Sequence, residues 1–179
     1  MKRLLVCTGL LFVATTLLAQ QAPPKAPPKS PPATAMATIG GKHVTITYSS
    51  PRVRGREGKI FSKDGLISHD PHYPVWRAGA NSATTLLTDG DLTIGNVSVP
   101  AGKYTLFVDI SDPKAWVLIV SKDTGEWGLS YDPSKDLGRT TMTMAPPASM
   151  VEDLTYTISD GKLSLAWENM GANVPIAAK

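Results

Sequence analysis

From Thr38 onward, apolar residues recur at every second position in short runs broken by turn residues, the period of strands that bury one face. Val44, Ile46 and Tyr48 alternate with Thr45 and Thr47; Leu92 and Ile94 alternate with Thr93, and the pattern resumes at Val97 and Val99 after Gly95-Asn96. Two longer runs, Tyr104 to Ile110 and Ala115 to Val120, flank Ser111-Asp112-Pro113-Lys114, a sequence suited to a tight turn. A last pair, Leu154 to Ile158 and Leu163 to Trp167, is joined by Ser159-Asp160-Gly161. No segment after Thr38 joins a helical period to a cap over ten or more residues, while Thr, Val and Gly are plentiful. The pattern predicts an all-β domain over residues 38–179: a single antiparallel β-sandwich or a barrel-like domain, two closures that periodicity does not separate.

The stretch before residue 38 is different in kind. Met1-Lys2-Arg3 precedes an apolar run from Leu4 to Leu18, which the glutamines and prolines behind it stop short of the ~20 residues a spanning helix needs. A basic start, a short apolar run and the small residue Ala19 predict a signal peptide over 1–19, hence an exported chain, periplasmic or extracellular, with no membrane insertion after cleavage. Residues 20–37 form an Ala/Pro-rich linker in which Pro-Pro pairs recur every four residues; such a segment favours extended polyproline II and acts as a semi-rigid spacer.

Composition narrows the function classes. The one cysteine, Cys7, falls within the signal, so the remaining chain has no thiol to form a disulfide. The formal charge of +3 includes Lys2 and Arg3, and the chain beyond the signal is left at +1. That near-neutral balance argues against a nucleic-acid partner, which would demand a basic excess. The sequence has no G-x-S-x-G elbow, no H-E-x-x-H, no Walker loop and no G-x-G-x-x-G opening a helix.

Candidate chemistry concentrates between Ser49 and Asn81, where SSPRVRGREGKIF and LISHDPHYPVWRAGAN lack strand alternation and read as long ordered loops. Arg52, Arg54 and Arg56 alternate there and Arg77 follows Trp76; guanidinium groups grip carboxylate, phosphate or sulfate in a planar fork, and could equally tie loops to carbonyls or to acids such as Glu168 and Asp132. His69, Asp70 and His72 form an H-D-x-H cluster whose imidazoles and carboxylate suit a divalent metal, with Asp64 or Glu57 as further ligands, or else a plain turn around Pro71. Of the four tryptophans, Trp116 and Trp167 lie among alternating apolar neighbours and read as core, whereas Trp127, in Gly-Glu-Trp-Gly, reads either as an exposed ring able to stack on a sugar or as a lid over the end of the core.

The ordered set YSSPRVRGR, VWRAGANSATTL, VPAGKYTLF, the EWG and YDPSKD loop, VEDLTYTI and LSLAWEN ending in VPI resembles the exported bacterial family called Domain of Unknown Function 2911, over about Ile39 to Ile176. The resemblance implies an exported all-β domain, implies no activity, and carries over no catalytic residue. Family members have a shorter turn before Val-Trp-Arg, so HDPHYP at 69–74 is a departure that sets the histidine cluster apart from the family pattern.

Function is therefore expected to be non-enzymatic: a ligand-binding or scaffold module of the cell envelope, with no cofactor. Its unknown small molecule or glycan would be held by Arg52, Arg54, Trp76, Arg77, Asn81 and Trp127. The alternative is a metal-dependent hydrolase or isomerase centred on His69, Asp70 and His72.

Overall fold

The computed structural model describes residues 27–125 and 127–179. The expected signal segment 1–19, linker residues 20–26 and Glu126 lie outside the described residues. Among the described residues there are thirteen strands: β1 Pro32–Ile39, β2 Lys42–Ser49, β3 Val75–Trp76, β4 Thr84–Thr88, β5 Leu92–Ile94, β6 Val97–Val99, β7 Gly102–Asp109, β8 Val117–Ser121, β9 Asp136–Thr141, β10 Thr143–Met144, β11 Val151–Ser159, β12 Lys162–Glu168 and β13 Met170–Ala178. Among the described residues the only helical turns are two short 3₁₀ segments, Ile67–His69 and Pro133–Lys135. No helix among them is long and apolar enough to cross a membrane.

All pairings are antiparallel, and they resolve sandwich from barrel. One sheet runs β1-β2-β4-β7-β8-β9 with β3 also on β7; the other runs β11-β12-β13-β5-β6 with β10 on β13. β1 lies beside β11 and β6 beside β9, closing the two sides of the sandwich. Alternation sends Val44, Ile46, Leu86, Leu106, Leu118 and Val120 inward from the first sheet against Leu154, Leu163, Leu165, Val174, Ile176 and Leu92 from the second, all in one core. A second, smaller cluster of Ala83, Phe107 and Ile119 sits outside it, covered by Val75 and Tyr131.

The domain starts before residue 38. The last part of the expected linker is β1, paired along its full length with β2 from Pro32↔Ser49 to Ile39↔Lys42. Its inward residues are Ala33, Ala35 and Ala37, too small to stand out as an apolar alternation, while Thr34, Met36 and Thr38 face out. Pro32 is accommodated at the first position of an edge strand, where its missing N–H breaks no ladder.

Candidate functional site

A break in one strand creates the site. β3 and β4 lie end to end along the same side of β7: Trp76 faces Val108 and Thr84 faces Leu106, so only Phe107 separates the two registers. A continuous strand would set one residue opposite Phe107; here the seven residues 77–83 occur instead and are thrown out of the sheet as a loop. Ala78 and Asn81 take left-handed conformations, with φ of 51° and 58°. The buried hydroxyls of Tyr156 and Thr84 each donate to the Ala78 carbonyl at 3.0 Å, and Ala80 N donates to the Ser49 carbonyl at 3.1 Å. Burial raises the Tyr156 pKa, so its hydroxyl remains a donor wherever the fold is intact.

Facing this loop is the chain that leaves β2. Val53 N donates to the Glu152 carbonyl and Leu154 N to the Pro51 carbonyl, which ties residues 51–53 to the start of β11. The Arg52 guanidinium meets Asp153 at 2.6 Å, and Arg54 N donates to the Glu152 carboxylate at 2.9 Å. Glu168, buried and itself left-handed, accepts from Gly58 N and holds the next turn. Among the described residues neither Glu168 nor Asp132 pairs with an arginine: Asp132 instead accepts from Ser134 N at the start of a 3₁₀ turn.

Between these walls lies an open cleft of about 520 Å³, within the size range of small-molecule sites. Its floor is Trp76 and Trp167, stacked with ring centres 6.0 Å apart and braced by Phe61 and Trp116. Trp76 is 3% exposed and Trp167 2%, so neither has a face free for stacking. The buried indole N–H of Trp167 has no acceptor among the described residues. Sealed apolar rings beneath the cleft strengthen any charge interaction above them by excluding water.

The charges are one-sided. Lys29, Arg52, Arg54, Arg56 and Arg77 line the cleft, and Asp70 is the one carboxylate among the lining residues. Asp70 is already taken: its side chain, 5% exposed, pairs with Arg77 at 3.0 Å, and Arg77 also donates to the Asn81 carbonyl at 3.3 Å. Arg77 is thus a strut between the two ends of its own loop region. Arg52 pairs with Asp153, and both are nearly half exposed. Lys29, Arg54 and Arg56 have no carboxylate partner among the described residues. Arg54 reaches the Lys29 carbonyl at 3.2 Å, and Arg56 is fixed by the carbonyls of Val53 and Arg52 at 3.0 and 2.6 Å.

Five of the six expected ligand-binding residues, Arg52, Arg54, Trp76, Arg77 and Asn81, line this one cleft. Trp127 does not line it, but its backbone bridges Ser82, the neighbour of Asn81, and its side chain is 57% exposed. Lys29, Ser30, Arg56 and Trp167 are lining residues outside the expected set. Arg56 was legible from its alternation with Arg52 and Arg54; Lys29 was hidden by the proline composition around it.

The expected metal ligands point to separate tasks. His69 Nδ1 lies 2.8 Å from the Gly65 carbonyl, His72 Nε2 lies 2.8 Å from the Leu129 carbonyl, and Asp70 faces Arg77. Asn169 donates to Glu57, and Asp64 is exposed. Among the described residues no three His, Cys, Asp or Glu side chains gather where they could hold a metal ion.

Fold and site together define an antiparallel two-sheet sandwich with an arginine-rich cleft set in its irregular loops. The chain belongs to the family described as Protein of unknown function (DUF2911), whose model matches residues 30–176, from the cleft-lining Ser30 to the inward-facing Ile176 of β13. No curated protein and no solved structure matches the chain.

Proposed function

We propose that this protein is an exported, non-enzymatic ligand-binding domain of the cell envelope that takes an anionic ligand in the cleft between residues 51–56 and 77–81. One observation carries the reading: of the five cations that line the cleft, Arg77 is paired with Asp70 and Arg52 with Asp153, while Lys29, Arg54 and Arg56 have no carboxylate partner among the described residues. The three cations left without a paired carboxylate repel one another, and an incoming carboxylate, phosphate or sulfate relieves that repulsion. Arg54 and Arg56 supply planar donors, Asn81 adds a donor and an acceptor at the mouth, and the sealed Trp76–Trp167 floor keeps the local dielectric low. Arg77 contributes position rather than free charge. Export rests on the order of residues 1–19, basic, then apolar, then small.

Isothermal titration of the purified domain with citrate, inorganic phosphate and galacturonate at about 10 mM ionic strength tests the reading, because a Debye length near 30 Å leaves such attraction unscreened. Saturable binding by at least one of these probes is expected. It should weaken when salt is raised to about 0.15 M and be lost in Arg54→Glu, a change on an exposed side chain. Absence of saturable binding to any anion at low salt would overturn the proposal.

A further inference from the structure

We infer that the ligand is an acidic glycan chain, with one anionic ring held in the cleft and the next ring laid on Trp127. This rests on the anion-binding reading of the cleft and extends it to a second subsite. Trp127 is 57% exposed, whereas Trp76, Trp116 and Trp167 are each 3% exposed or less. Among the described residues Trp127 is the most exposed Trp, Tyr or Phe, and an indole open to water is free to stack on a ligand.

The loop that carries Trp127 is tied at three points to residues 72–82, the segment that supplies Trp76, Arg77 and Asn81 to the cleft. Trp127 bridges Ser82, the residue next to cleft-lining Asn81. Gly128 packs so tightly that a Cβ there would meet the Asn81 carbonyl oxygen and the Arg77 Cδ. The Leu129 carbonyl faces His72 Nε2 at 2.8 Å. Ser130 N closes the turn on the Trp127 carbonyl at 2.9 Å. The backbone that carries the indole is therefore held beside Asn81 and Arg77, two residues that line the cleft. Cations lining the cleft and an exposed indole on the loop packed against it suit a ligand that is charged in one part and flat and weakly apolar in the next. A pyranose ring offers its C–H face to an indole while its hydroxyls stay in water, and a uronate or phosphorylated sugar adds the charge. A neutral glycan leaves Lys29, Arg54 and Arg56 uncompensated.

The test compares galacturonate oligomers of one, two and four rings, with cellotetraose as the neutral control and a tetraglutamate peptide as the non-glycan polyanion. Affinity is read by titration, and contact with Trp127 by acrylamide quenching of tryptophan fluorescence, a signal the three buried indoles barely contribute to. The expected result is a gain of about tenfold from one ring to two, the size of one aromatic contact. Quenching should fall as the oligomer binds. Trp127→Ala should remove that gain and leave single-ring binding intact; Trp127→Tyr should keep part of it. Cellotetraose should not bind. Equal affinity for one and four rings, with Trp127 still open to acrylamide, overturns the second subsite while the anion site stands. Protection of Trp127 by tetraglutamate but by no uronate overturns the glycan assignment. Failure of citrate, phosphate and every uronate to bind removes the cleft reading and this one with it.

Discussion

Replacing Arg77 by alanine leaves the Asp70 carboxylate, 5% exposed, with the His72 N–H at 3.2 Å as its one side-chain hydrogen bond among the described residues. Removing one partner of a buried pair typically costs 3–5 kcal/mol, most of it the penalty of the charge left behind. Arg77 itself is 18% exposed, so some water can reach the gap and the lower end applies, about 3 kcal/mol. For a domain of this size that is a fall of roughly 6–12 °C in Tm. Arg77→Lys keeps a charge near Asp70 but cannot also bridge to the Asn81 carbonyl, and should cost about 1–2 kcal/mol. Urea unfolding followed by circular dichroism measures both. The sharper control is the Asp70→Asn change made in the Arg77→Ala background, where it should be neutral or favourable, because no charge remains to be stranded. If Arg77→Ala costs less than about 1 kcal/mol, or if the Asp70→Asn change is equally harmful with and without Arg77, the strut is not a strut.

Three further outcomes are expected. Trp116→Ala and Trp167→Ala should each cost about 3–5 kcal/mol and Trp127→Ala within about 1 kcal/mol in the same urea assay, since the first two are 2% exposed and the third is 57% exposed. Ala35→Asp should destabilise by several kcal/mol while Thr34→Asp stays within about 0.5 kcal/mol, because β1 turns Ala35 into the core and Thr34 outward; equal costs would mean that β1 does not belong to the sandwich. Alkali should destabilise the fold. Tyr131 is pushed up to about 12 by partial burial and the Asp136 carboxylate, and Tyr156 is raised by burial, so the stability these neutral phenols confer is intact below the unfolded value near 10 and is lost as pH rises above it. Phenolate absorbance near 295 nm should show Tyr156 ionising only together with unfolding, and ionisation of all five tyrosines in a still-folded protein would contradict its burial.

Local signals made much of the fold legible. The turns at Ser111–Lys114 and Ser159–Gly161 sit where β7 gives way to β8 and β11 to β12, because Asp, Pro and Gly mark turns without help from the rest of the chain. β13 was harder to read: Ala172, Val174 and Ile176 alternate inward, but the positions between them are Gly171, Asn173 and Pro175, residue types that mark turns, and it is a strand because β12 and β5 both pair with it. β1 was masked by alanines and by its proline. The cleft's residues were legible as a group, since Arg, Gly and Pro in long loops advertise irregular backbone. Partner choice was not. Arg52 meets Asp153 across 101 residues of sequence, a relation set by sheet order rather than spacing. Trp76 was expected to hold the ligand because its strand is only two residues long, too short to show that its ring points inward.

The interrupted strand separates two things that proteins usually have to change together. Since Trp76↔Val108 and Thr84↔Leu106 are each fixed by their own cross-strand pairs, the number of residues between them does not enter the registry of the sheet. An insertion or deletion inside 77–83 would alter what lies in the cleft while every ladder around it kept its phase. Closing a loop of twice the length costs only about 0.6 kcal/mol more. Variation in ligand choice within this fold is therefore expected to arise as differences in loop length between a Trp like Trp76 and a Thr like Thr84, on a scaffold that has no need to follow.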